Sequence, residues 1–306
     1  MSNVKATAVI FGATGDLGYH VSRVFLTEYR LTFSTVRIVT RDPSSPKSTK
    51  LAKLGGEVHP FGEPLDTILA GADVVLNIIP PPLLSSEFKA DILQATVRNG
   101  VKVYFSSEWG AYDYMNENAF PGYEADEWQQ KRALQIEARK ILSDKVKLIN
   151  LNGGGFLTWW AGPNRILGWD ADKNVFSTVG PSTAKISLTH QSDIGRAAAQ
   201  VSVLALDPAT AARVPTDIRI AGQSVSYEDL RDLVSRVKGL PKGDIVSQDL
   251  AALKEKIRKD PPENIWEYVL VLFGEGKLHF KETDNELVNP RETLWKWTLP
   301  EDEFRA

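Results

Sequence analysis

The chain has 306 residues, 42% of them hydrophobic and 25% charged, with a formal net charge of −3, a balance that suits one large or two unequal globular domains. Near-neutral charge removes the electrostatic case for nucleic acid or an anionic membrane surface as a partner. The lack of cysteine excludes disulfides, thiolate nucleophiles and cysteine metal sites, and the four histidines (His20, His59, His190, His279) lie far apart in sequence without ligand spacing, so no structural zinc is expected.

Residues 6–11 form an apolar run that reads as a buried strand, and residues 20–29 place His20, Val21, Val24 and Phe25 at the spacing of an amphipathic helix. Gly12, Gly15 and Gly18 fall between them as G-x-x-G-x-x-G, where a dinucleotide-binding turn needs glycine. In that role Gly12 permits the tight turn, Gly15 lets backbone N–H groups approach a pyrophosphate, and Gly18 lets the helix pack closely. Thr14, Asp16 and Leu17 complete the candidate cofactor loop, and the helix N-terminus adds oriented N–H groups and partial positive charge. An ordinary strand–turn–helix corner is the competing reading.

A second strand is predicted over 36–40, ending at Thr40, Arg41 and Asp42. In sheets of this type the residue just past that strand meets the adenosine ribose. Arg41 offers a guanidinium suited to a 2′-phosphate, with Ser44, Ser45, Lys47 and Lys50 nearby as further donors, so NADPH/NADP+ is expected over NADH. A solvated basic loop is the plainer alternative, and Asp42 is an ambiguous neighbour.

Further strands are predicted over 57–60, 73–79 (ending at Ile79 and stopped by Pro80, Pro81 and Pro82), 101–105 and 146–151. Helices are predicted over 88–98, with Gly100 as C-terminal cap, and over 128–142. Repeated strand–helix–strand units with nearly all-apolar strands imply an α/β fold of Rossmann type, a doubly wound parallel sheet covered on both faces.

The second half is more mixed. Gly153, Gly154 and Gly155 end the regular units, and Phe156, Trp159 and Trp160 follow. Asp193 is placed to cap a helix through Leu206, residues 218–220 read as a short strand, and Ser226 opens another helix with an acidic first turn. Residues 1–152 are therefore expected to be the nucleotide domain. Residues 153–306 are expected to form a smaller mixed α/β substrate-binding region, with an exchange of elements between the two left open. No early stretch has the pattern of a signal peptide and no span reaches membrane-helix length, so a soluble cytoplasmic protein is expected.

Gly12 to Gly18, then Arg41, Asp42, Pro43 and Ser44, then Ser106, Ser107, Glu108, Trp109 and Gly110, resemble the NmrA-like and isoflavone-reductase-like branch of the atypical short-chain dehydrogenases. Gly155 and Phe156, residues 189–195 and residues 218–230 extend the resemblance over nearly the whole chain, closest to fungal members. The resemblance implies an NADPH-dependent reductase acting on a conjugated or benzylic carbon, often of an aromatic secondary metabolite. It also implies a lysine on the helix after the Ser106–Gly110 turn in place of a tyrosine–lysine pair, and Lys131 occupies that position. A partly desolvated lysine is a competent proton donor or relay, whereas a basic, solvated helix face is the bland reading. Ile79 and Ser106, with Lys131, are expected beside the cofactor. This turn departs from the family in carrying Ser106 for proline and Trp109 for phenylalanine.

Trp109, Tyr112, Asp113 and Tyr114, with Phe156, Trp159 and Trp160, are the candidate substrate pocket, since loops beyond strand carboxyl ends bind ligands and aromatic rings stack on flat apolar molecules. Glu108 is expected to accept from backbone N–H groups of its turn, His190 to make a satisfied polar contact, and Trp266, Trp295 and Trp297 to pack a core or interface. A bulky apolar or aromatic small molecule is the expected partner, with no metal, and homo-oligomers are compatible with the sequence. A non-catalytic NADP-sensing regulator and an isomerase or cyclase retaining the nucleotide fold are the alternative functions.

Overall fold

The structure, a computed structural model, describes residues 5–162, 165–166 and 168–305. In chain order it opens with β1 (Ala6–Phe11), α1 (Asp16–Thr27), β2 (Phe33–Thr40), α2 (Pro46–Lys53), β3 (Glu57–Pro60), α3 (Leu65–Leu69), β4 (Val74–Asn77), α4 (Ser86–Arg98), β5 (Val103–Phe105), α5 (Asp126–Leu142) and β6 (Lys147–Asn152). Then come β7 (Gly155–Phe156), α6 (Leu157–Trp160), β8 (Ala161–Gly162), β9 (Arg165–Ile166), β10 (Trp169–Asp170), β11 (Val175–Val179), β12 (Ile186–Thr189), α7 (Gln191–Leu206), β13 (Asp217–Arg219) and β14 (Gln223–Val225). The chain closes with α8 (Tyr227–Lys238), β15 (Asp244–Gln248), α9 (Leu250–Lys259), α10 (Trp266–Gly274), α11 (Asn285–Val288) and α12 (Pro300–Arg305).

Two compact units result, and neither is one stretch of chain. The first comprises 1–109, 130–151 and 194–218; the second comprises 110–129, 152–193 and 219–306. Two segments therefore lie on the other side of the 152/153 boundary expected from sequence. For 194–218 the reason is visible: a Cβ on Gly195 would stand 3.1 Å from Val21 Cα, so α7 lies against α1, and Arg196 adds a 2.7 Å ion pair to Glu28.

The first unit holds a sheet of order β3-β2-β1-β4-β5-β6-β13, with parallel pairing from β3 through β6. Strands covered on both faces must be apolar throughout, and Ala8, Val9, Ile10 and Phe11 of β1 are all wholly buried. Strand order reverses between β1 and β4, which opens a crevice at their carboxyl ends, the place where open α/β sheets bind ligands.

The second unit carries small sheets, β10-β11-β15, β14-β12-β7 and β8-β9. Its core gathers Phe120, Trp128, Trp160, Phe176, Tyr227, Tyr268 and Phe273 with aliphatic side chains. Ser226 caps α8, as its sequence predicts, and the structure adds a reciprocal bond to the Asp229 side chain. Asp193, expected as an N-cap, lies inside α7, which starts at Gln191; its carboxylate instead accepts from Thr298 N at 2.7 Å. The strand expected at 218–220 lies one residue earlier, as β13.

Candidate active site

The glycine turn joins β1 to α1 at the crevice. Gly12 has φ +77°, a conformation that L side chains rarely adopt, and Gly15 N donates to Gly12 O at 3.0 Å to close the turn. A Cβ on Gly18 would stand 2.1 Å from Gly12 O, so the third glycine lets the helix sit on the first glycine's own carbonyl. Ile79, half-buried beyond β4, covers the turn from the other side: a Cβ on Gly12 would lie 3.0 Å from Ile79 Cγ1. Thr14 Oγ1 hydrogen-bonds Thr40 Oγ1 at 2.9 Å, tying the loop to the end of β2.

Helices α2, α4, α8 and α9 begin with a side-chain cap from Ser45, Ser85, Ser226 and Asp249; α1 begins on Gly15, which has no side chain to cap with. The first-turn N–H groups of any α-helix lack intrahelical acceptors, so an uncapped, glycine-opened turn suits an external anion. Gly15 and Asp16 are exposed there, whereas the Leu17 side chain is buried and can contribute only its backbone.

Past β2, Arg41 is exposed, and among the described residues its guanidinium has no hydrogen-bond acceptor. Asp42 is occupied elsewhere: its Oδ1 accepts from Ser44 N at 2.9 Å and Ser44 Oγ at 2.6 Å, which holds the carboxyl below the usual carboxylate range. Its carbonyl accepts from Ser48 Oγ at 2.7 Å. Of the two neighbours, the cation is the one left available. Lys47 lies 5.4 Å over the Tyr19 ring, and Lys50 is exposed one turn further along α2.

The Ser106–Gly110 turn leaves β5 and is fastened to the end of β4. Ser107 Oγ donates to Ile79 O at 2.8 Å, and Trp109 Nε1 donates to Asn77 O at 2.9 Å. Trp109 has φ +42°, stacks on Phe105 at 6.1 Å and is buried, so it serves as a wedge in the turn rather than as an open substrate wall. Asn77 also donates from Nδ2 to the Tyr104 hydroxyl at 3.1 Å, and burial pushes that phenol up to about 12, so it stays neutral. Trp109→Phe is expected to lower folding stability by about 1–2 kcal/mol, from the lost buried hydrogen bond and the smaller ring. Urea denaturation reads this directly, and an unchanged midpoint would mean that ring stacking alone secures the turn.

Ser106 is a correction to the expected cofactor contacts. It is 1% exposed, its Oγ donates to Asn150 Oδ1 at 2.6 Å and accepts from Gln135 Nε2 at 2.7 Å, which leaves the hydroxyl committed to the interior. Glu108 Oε1 accepts from Gln135 Nε2, a side-chain amide on α5 rather than a backbone N–H of the turn, at 2.7 Å. Lys131, half-buried on α5, points its Nζ at Glu108 O, 3.4 Å away, so the structure brings the expected lysine to the turn. Gln135, Asn150 and Asn77 were not singled out by sequence. For the two asparagines the available signal was an amide inside an otherwise apolar strand.

In the second unit the expected pocket aromatics divide. Tyr112, Tyr114 and Trp160 are corrections: all three are buried in that unit's core, where Tyr112 meets Trp128 at 4.9 Å and Trp160 meets Phe273 at 5.8 Å. Core packing leaves such rings no open face for a substrate. The Tyr112 hydroxyl is used as well, donating to Glu117 O and accepting from Ala119 N. Asp113 is engaged by Arg219 Nη2 at 2.8 Å. Phe156 is half-buried and Trp159 is 42% exposed, with their rings 4.9 Å apart. Trp266, expected in a core or interface, is also partly exposed, 6.0 Å from Trp159; Trp297 is buried and Trp295 packs on it. His190 makes a satisfied contact, accepting from Ser192 N at 3.1 Å and lying 3.4 Å from Glu303.

Among the described residues no group of acidic or histidine side chains is arranged to hold a metal ion, and no helix is long and apolar enough to cross a membrane.

The NmrA-like family model matches residues 4–267. No curated protein sequence matches the chain. Among solved structures, the pinoresinol-lariciresinol and phenylcoumaran benzylic ether reductases, described with their relationship to isoflavone reductases, superpose with a TM-score of 0.78 at 18% identity, covering 98% of this chain and 99% of theirs. AtPrR2 with NADP+ and (+)pinoresinol gives 0.77 at 16% identity, covering 98% of each chain. The triphenylmethane reductase of Citrobacter sp. complexed with NADP(H) gives 0.67 at 17% identity, covering 98% of this chain and 99% of that one. At such identities the likeness is one of fold.

Proposed function

The chain belongs to the NmrA-like family, and we propose that it is an NADPH-dependent reductase of a conjugated or benzylic carbon in a bulky apolar or aromatic metabolite, akin to the family's fungal members. The observation that carries the cofactor reading is the uncapped α1 behind a glycine turn in which a Cβ on Gly18 would meet backbone at 2.1 Å. That turn, through the backbone of residues 12–18, fits the pyrophosphate, and Ile79 covers it. Arg41, with Lys50 nearby on α2, fits the 2′-phosphate, because its fork of N–H donors matches phosphate oxygens and Asp42 is already held by Ser44.

When bound, NADPH supplies a hydride from its nicotinamide C4. Reduction also needs a proton, and Lys131 is the residue proposed to hold and deliver it. The Glu108 carbonyl fixes its Nζ, and the half-buried helix face limits exchange with bulk water. Phe156 and Trp159 remain the accessible rings proposed to receive an aromatic substrate, and their exposure supports that substrate class.

Titration of the protein with NADPH and NADH, followed by incubation with flat aromatic candidates and mass comparison, tests the proposal. A product heavier by two hydrogens supports a reductase, whereas an unchanged mass indicates an isomerase. Dinucleotide binding without turnover of any candidate would favour a sensor. Arg41→Ala is expected to raise the Kd for NADPH by about 10- to 100-fold, the loss of one charge-assisted contact. The Kd for NADH, which has no 2′-phosphate, should change less than about twofold by the same reasoning. Equal loss for both nucleotides would remove Arg41 from the 2′-phosphate site.

A further inference from the structure

Lys131 and Gln135 stand four residues apart on α5, so both side chains emerge from one helix face. Each takes an oxygen of the same turn residue. Lys131 Nζ reaches the Glu108 carbonyl at 3.4 Å, and Gln135 Nε2 reaches the Glu108 carboxylate at 2.7 Å. The same amide nitrogen lies 2.7 Å from Ser106 Oγ and 2.9 Å from Asn150 Oδ1. Ser106, Glu108, Gln135 and Asn150 are all buried, and Asn150 Nδ2 continues the chain of bonds to Asp217 Oδ1 at 2.6 Å. Gln135 Oε1, by contrast, is buried without a hydrogen-bond partner.

An unsatisfied buried oxygen is a cost, so this amide is placed for its N–H donors. Two N–H bonds are shared among three acceptors, two from the turn after β5 and one from β6, so a displacement of α5 disturbs all three contacts together. We infer that Gln135 is a positioning residue: its amide sets the turn residue Glu108 against which Lys131 rests, and so aims Nζ without touching substrate or cofactor. The inference rests on the reading of Lys131 as proton donor.

Gln135→Met keeps the side-chain length and removes both donors. We expect kcat to fall by about tenfold, the effect of roughly one well-placed hydrogen bond, with the Kd for NADPH unchanged. Competitive acylation of lysines on the nucleotide-free protein, read by mass spectrometry, should label Lys131 about fivefold faster once the carbonyl that holds it is displaced. In a Lys131→Met background, Gln135→Met should lower the residual turnover no further. Unchanged Lys131 labelling, or an equal loss of turnover in both backgrounds, would overturn the inference and leave a purely structural glutamine. If Lys131→Met alone leaves kcat intact, the proton-donor reading falls and takes this inference with it, a distinguishable result. Should the methionine variant not fold, Gln135→Asn, which withdraws the amide by one methylene, is judged by the same labelling.

Discussion

Lys131→Met is expected to lower kcat by about 10²- to 10⁴-fold, the usual contribution of a positioned general acid. Methionine preserves the length and the apolar stem of the side chain, so the packing of α5 is largely kept. Lys131 is half-buried and its Nζ rests on Glu108 O, which makes the amine the principal loss. Affinity for NADPH should change by less than about threefold, because the glycine turn and Arg41 carry the charge-matched contacts. A steady-state assay beside a binding titration separates the outcomes. Matched losses of kcat and affinity would make Lys131 a cofactor ligand, and an unchanged kcat would place proton delivery on another group.

Gly18→Ala is expected to be almost as severe, raising the Kd for NADPH by about 100-fold and lowering the thermal midpoint. The new Cβ would meet Gly12 O at 2.1 Å, Gly12 C at 2.9 Å and Ala13 Cα at 3.0 Å. All three are backbone atoms of a turn already held by the Gly15–Gly12 hydrogen bond and by Gly12 at positive φ, so no side chain can swing aside. Relief requires α1 to move away from β1, which withdraws the helix N-terminus from the phosphate position. Gly62→Ala is the control: it is exposed, a Cβ there meets nothing within 4 Å, and both quantities should be unchanged. Normal NADPH affinity in Gly18→Ala would mean that the phosphates bind elsewhere.

Several elements were readable because local chemistry dictates them. Residues 6–11 and 57–60 form strands at the predicted positions, and Ser226 makes the predicted helix cap. The failures share a cause. Asp193 has the chemistry of a cap, but α7 starts two residues earlier and the carboxylate is taken by Thr298, far along the chain. Tyr112, Tyr114 and Trp160 resemble ligand-binding rings in sequence, and only the second unit's packing shows them to be core. Gln135 on a helix reads as a surface residue, and its partners come from two other segments, the Ser106–Gly110 turn and β6.

By itself the sequence determined the parallel α/β sheet, the glycine turn that opens α1 and the cation that follows β2, because each depends on neighbours within a few residues or on a short-period pattern. The tertiary structure alone decided that segments 110–129 and 194–218 change units, that Ser106 is committed to the interior while Arg41 is left available, and that Lys131 meets the Glu108 carbonyl. The physical reason is that hydrogen-bond satisfaction and burial are settled between residues distant in the chain. Spacing along the chain carries no record of which polar groups share those contacts.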